Sequence, residues 1–171
     1  MSKGMGGTMA GSKKKRSQII LFVLTILTVL FIWGQSMLPT ARSSNESKTV
    51  TEVIVKPVQE AITGNRTVTD NIVRKWAHAI EYAVLGIELT LLISGRQKLW
   101  LTLSRVFSYG TGIALLDETI QIFSGRGPKV QDVWIDALGV TIGMTVTTVI
   151  LVIIRAVKQH KSANHIRMRG K

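Results

Sequence analysis

Three groups of polar residues have types and spacing that suit them to chemistry. His78, Glu81 and Tyr82 stand at i, i+3 and i+4, Leu85 extends the series to i+7, and Glu88 lies seven residues beyond Glu81, so on a helix all share one face. Asp117 and Gln121 are i,i+4 neighbours on a stripe with Gly110 and Ala114, with Glu118 at its border. Asp132, Asp136, Gly139 and Gly143 form a third stripe, and Arg126 lies in the short segment SGRGPKVQ that precedes it. Carboxylates held away from water serve as general acids or bases, or receive an ammonium group, while an arginine pairs with phosphate. His78 with Glu118, Asp117 or Asp132 would offer nitrogen and oxygen ligands to a metal. No HExxH, GxSxG, P-loop or dinucleotide fingerprint accompanies these residues, so no cofactor is expected on motif grounds. Cysteine is absent, which removes disulfides and thiol catalysis.

The elements that carry these residues are apolar runs. Of 171 residues, 46% are hydrophobic and 19% are charged, yet the formal net charge is +12. A soluble domain carries about a quarter of its residues as charges, and the basic residues here fall in clusters between apolar runs, with no basic stripe of interleaved aromatics. Nucleic acid is therefore not an expected partner. Residues 19–37 contain no charge and, at about 1.5 Å per residue, are long enough for a hydrocarbon core of about 30 Å. Trp33 near the end of this run is of the interfacial anchor type. The basic cluster Lys13 to Arg16 before it also suits a signal peptide, but the cleavage site is poor and three spans follow, so a retained helix is expected. Residues 76–93, 100–123 and 133–154 are the further spans, the middle two interrupted by the polar residues above. The expectation is an all-α integral membrane four-helix bundle with short connections and one longer external loop. Gly139 and Gly143 form a GxxxG that allows close helix packing.

Orientation follows the bias of lysine and arginine. With the N-terminus inside, fourteen basic residues lie on the cytoplasmic side and eight on the other, although Arg74 and Lys75 would then flank the second span externally. Both tails, 1–18 and 155–171, are thus expected in the cytoplasm, with the second polar and disordered from Lys158 beside anionic lipid. The external loop contains Pro39, Pro57 and an alternating stretch from Thr49 to Val55 that reads as a short strand or interfacial segment in an otherwise flexible linker. In this topology His78, Glu81, Asp117, Glu118, Gln121, Asp132 and Asp136 converge on the outer side, Arg126 and Lys129 lie over them, and Glu88 is the deepest acid of an outward-opening pocket.

The order His78-x-x-Glu81-Tyr82, then Asp117-Glu118-x-x-Gln121, then Arg126, then Asp132 followed by Gly139 and Gly143, resembles the VanZ-like family of membrane proteins. The resemblance covers about Ile19 to Ile154. Many members carry Asn where Asp136 stands, so the chain departs from the pattern there. The resemblance implies a small multi-pass protein of the bacterial cell membrane, in a family whose namesake is associated with low-level teicoplanin resistance. It brings no settled biochemical activity with it.

Three functions are consistent with these residues. One is an envelope protein that influences glycopeptide susceptibility through its outward polar site, with membrane lipid, a lipid-linked cell-wall precursor or the glycopeptide as partner. Another is an intramembrane enzyme acting on a lipid-linked envelope substrate. The third is a proton or cation translocator, which the lack of inverted-repeat symmetry counts against. For single residues a plainer role is open: His78 with Glu81, and Arg126 with Glu118 or Asp132, would also serve as clasps that fix helix register.

Overall fold

A bilayer offers the backbone no water, so a crossing segment must satisfy its own N–H and C=O groups, and uninterrupted apolar runs fold as helices. The computed structural model describes residues 5–37, 49, 52, 70–95, 98–124 and 130–169. Four long helices account for nearly all of them: α1 (Met5–Met37), α2 (Asp70–Ile93), α3 (Leu99–Phe123) and α4 (Val130–Arg169). Each contains a stretch long and apolar enough to cross a membrane. The protein is a multi-pass membrane protein, all helical among the described residues. Arg126, Lys129 and the alternating stretch of the long loop, apart from Thr49 and Glu52, lie outside those residues.

The outer surface is lipid-like. Phe22, Leu27, Phe31, Val84, Leu116, Ile142 and Ile153 are exposed, as expected where the solvent is hydrocarbon. Several threonine hydroxyls on this scaffold are satisfied by their own helix. Thr25 donates to Leu21 O at 2.9 Å, Thr90 to Gly86 O at 2.6 Å, Thr119 to Leu115 O at 2.8 Å and Thr147 to Gly143 O at 2.8 Å. These side chains carry no exposed polar cost into the bilayer and hold no reactive position.

α2 is the hub. It packs against the other three helices, most extensively against α4. The reason is local: Ala79, Ala83 and Gly86 of α2 face Gly139, Val140 and Gly143 of α4, and a Cβ on Gly139 would meet Ala79 O, on Gly143 Ala83 O, and on Gly86 Val140 O. The two backbones touch, as small residues allow in membranes where packing replaces the hydrophobic effect. Tyr82, Leu85 and Leu89 of α2 join Val106 and Ala114 of α3, Val140 and Met144 of α4 and Ile32 of α1 in one core. Gly110 of α3 makes room for Val140, whose Cγ1 would lie 2.6 Å from a Cβ there. α1 is the most peripheral helix: within its span only Thr25, Ile32 and Ser36 are buried.

One expectation is corrected. Residues from Lys158 to Arg169 continue α4 as helix, because Ala, Lys, Gln and Arg are good helix formers and no Pro or Gly interrupts them before Gly170. Trp33 is half-buried and packs against the core. The exposed tryptophans are Trp76, Trp100 and Trp134, each close to a helix start, positions that suit interfacial anchors. Trp134 and Arg155 are separated by about 32 Å along α4, which matches the hydrocarbon thickness.

Candidate functional site

The polar residues gather where the last turns of α1 and α3 meet the first turns of α2 and α4. His78 and Asp136 each lie two residues beyond an exposed tryptophan, Trp76 and Trp134, so both sit about 3 Å past the interfacial rings along their helices. Asp117 reaches the same level from α3, six residues before Phe123, about 9 Å from that helix end. Tyr82 and Asp117 are fully buried, with Asp136 at 3%, Gln121 at 8% and Glu118 at 9% exposure. His78 and Glu81 are half-buried. Among the charged groups around Tyr82 are Asp117, Asp136, Glu81 and Glu118.

Hydrogen bonds fix the α1–α3 side. Gln121 Nε2 donates to Asp117 Oδ2 at 3.0 Å and lies 3.4 Å from Ser36 Oγ, while Ser124 Oγ donates to Ser36 O at 3.0 Å. His78 Nδ1 and Glu81 Oε2 are 3.8 Å apart, longer than a hydrogen bond. Lys75 Nζ pairs with Asp132 Oδ1 at 3.6 Å. A cleft opens beside these groups, lined by Arg74, Lys75, His78, Gln121, Ile135, Asp132 and Asp136. Its lining carries two basic residues, Arg74 and Lys75, and two acids, Asp132 and Asp136.

One atom from each of His78, Asp117 and Asp136 lies within 4.8 Å of the others. Two ionised carboxylates at that spacing repel by at least about 3.5 kcal/mol at an effective dielectric of about 20. Asp117 and Asp136 therefore share either a proton or a cation. Lys75 pairs with Asp132 at the mouth. Chemically the arrangement suits a ligand with a positive centre below and a negative group above.

The structure brings His78, Glu81, Tyr82, Asp117, Glu118, Gln121 and Asp136 together, with Asp132 at the rim. Glu88 is not the deepest acid of this pocket: its Oε1 accepts from Thr28 Oγ1 of α1 at 3.0 Å, and it does not line the cleft. Seven residues advance the helix by slightly less than two turns, and at that depth Glu88 of α2 meets Thr28 of α1. Arg126 lies outside the described residues; within them the basic groups of the mouth are Arg74 and Lys75. Sequence reasoning missed Lys75 and Ser36. Lys75 stands three residues before His78 on the same face, and Ser36 is one of few polar residues at the end of an apolar run.

The order of these residues along the chain matches a known pattern. A family model described as VanZ/LLP1 matches residues 19–153. The chain belongs to the VanZ/LLP1 family. The match takes in all four spans and every polar residue of the cleft, so the cluster lies within the part this protein shares with its VanZ/LLP1 relatives. No curated protein and no solved structure matches the chain.

Proposed function

We propose that this VanZ/LLP1 protein works in the bacterial cell envelope, where its polar cleft opens to the outer leaflet, binds the charged headgroup of a lipid-linked envelope molecule and influences susceptibility to teicoplanin-type glycopeptides. The observation that carries this reading is the depth of the cluster. Trp76 and Trp134 mark the interface, and the cleft begins within one helical turn of them, at headgroup level, with lysine and arginine at its mouth and acids at its floor. A phosphate-bearing headgroup entering from the leaflet meets Lys75 and Arg74 first, and an amine or other cationic group it carries reaches Asp136 and Asp117.

The excess of basic residues on the side of the two tails supports an outward orientation, with the cleft on the opposite face. Membrane lipid is then both solvent and partner. A cation path through the bundle is disfavoured, because Glu88 turns to Thr28 of α1 and leaves the acids of the cleft without a continuation toward the other face.

The test is a deletion strain, assayed for teicoplanin susceptibility and for its pools of lipid-linked precursors and envelope lipids. The reading expects both to change and to be restored by the intact gene. Unchanged susceptibility together with unchanged lipid and precursor pools overturns it.

A further inference from the structure

We propose that His78, Asp117 and Asp136 form a binding site for a divalent transition-metal ion, of the zinc or manganese class, at the floor of the cleft. The three residues come from three helices, α2, α3 and α4, and each presents one ligand atom within 4.8 Å of the other two. Asp117 is fully buried and Asp136 is 3% exposed, so the carboxylates have been removed from water without an ordinary surface role. An ion held at about 2.1 Å by three ligands in tetrahedral geometry needs them about 3.4 Å apart.

A second observation points to a ligand independently of the acids. Tyr82 is fully buried, its hydroxyl has no hydrogen-bond partner among the described residues, and Asp117 and Asp136 are among the charged groups around it. Asp136 Oδ1 is likewise buried without a hydrogen-bond partner there. A buried polar atom left unbonded is costly and rare in native structures. An ion on Asp136, with water or a ligand oxygen on its open position, supplies what both atoms lack. It also offsets the repulsion between the two carboxylates.

The donor set selects the ion class. An imidazole nitrogen with two carboxylate oxygens suits zinc or manganese, whereas calcium and magnesium favour all-oxygen shells. Three protein ligands leave at least one position open, and that position faces a cleft whose mouth carries Lys75 and Arg74. The ion thus adds a deep anchor for a phosphate oxygen. The site rests on the reading of this cleft as a headgroup site and sharpens it to a metal-assisted one.

The experiment uses the full chain purified in detergent, stripped with chelator and then equilibrated with Zn2+ or Mn2+ alone. Bound metal is counted by inductively coupled plasma mass spectrometry and affinity is measured by calorimetry. One ion per chain is expected, with affinity reduced at least about tenfold in Asp136→Asn and in His78→Ala. Glu88→Gln, outside the cleft, is expected to bind like the parent. Melting temperature should rise with metal in the parent and not in Asp136→Asn, a change of one atom that preserves shape. Substoichiometric metal in the parent, or equal affinity in Asp136→Asn and the parent, overturns the site. The readout contains no envelope phenotype. Loss of metal binding with an intact deletion phenotype removes the ion alone, and metal binding without a phenotype removes the envelope function alone.

Discussion

Replacing Gly143 by alanine tests whether the contact between α2 and α4 sets the geometry of the bundle. The added Cβ meets Ala83 O, with Ala83 C 2.9 Å away and Ala83 Cα 3.1 Å away. Every one of these atoms is backbone, so no side chain can swing aside. Ordinary van der Waals contact begins at 3.4 Å, and α2 must retreat from α4 by more than an ångström to reach it. Overpacking of this kind costs about 1–3 kcal/mol, and the upper end applies where the neighbour cannot yield. Alanine returns about 1 kcal/mol through helix propensity, which leaves a net loss of about 2 kcal/mol. The comparison is Gly112→Ala, since nothing lies within 4 Å of a Cβ at Gly112; there the propensity gain of about 0.5–1 kcal/mol stands alone. Equilibrium unfolding in mixed micelles, followed by tryptophan fluorescence, reads both. Gly143→Ala should unfold at lower denaturant and Gly112→Ala at equal or higher denaturant than the parent. Equal midpoints for the two variants would refute close backbone packing as the basis of the fold.

Gly139→Ala should combine a similar loss of stability with weaker ligand binding in the cleft, because its Cβ would press on Tyr82 Cβ at 3.1 Å as well as on Ala79 O; metal or headgroup affinity measured beside stability checks the coupling. Gln121→Leu removes the bond to Asp117 within α3 and the contact with Ser36 of α1; loss of the interhelical contact should cost about 0.6–1.7 kcal/mol, by the same unfolding assay. The chain has no cysteine, so single cysteines report orientation: Ser44→Cys should react with an impermeant maleimide on intact cells, and Ser12→Cys and Ser162→Cys should react only after lysis. The reverse pattern would place the cleft on the cytoplasmic face.

Much of this architecture was readable from residue types alone, and the reason is the solvent. A charge-free run such as residues 19–37 has only one way to satisfy its backbone in lipid, so its helix follows directly from composition. The stripe Gly110, Ala114, Asp117 and Gln121 is buried as a unit, because on a helix surrounded by lipid the polar and small residues turn inward. What periodicity did not show was which neighbour each stripe meets. Glu88 shares a face with Glu81, yet it bonds to Thr28 of α1, since α2 has three neighbours and a stripe changes partner along its length. Lys75 read only as a charge against the orientation rule, and its ion pair with Asp132 depends on how α2 and α4 dock. The helix beyond Arg155 escaped a hydropathy reading because hydropathy locates the membrane, while helix propensity decides where the helix ends.

The buried polar cluster on α2, α3 and α4 is proposed as the working part of the molecule and more than a clasp. Its most direct test is complementation of the deletion strain with Asp117→Asn beside Gly112→Ala, with each protein's abundance in the membrane fraction measured. Asp117→Asn keeps the shape of the side chain and its bond to Gln121, but removes the charge. Asp117→Asn is expected to insert normally and to fail to restore teicoplanin susceptibility and lipid-precursor pools to parental values, while Gly112→Ala restores both. Full restoration by Asp117→Asn at parental abundance would contradict it.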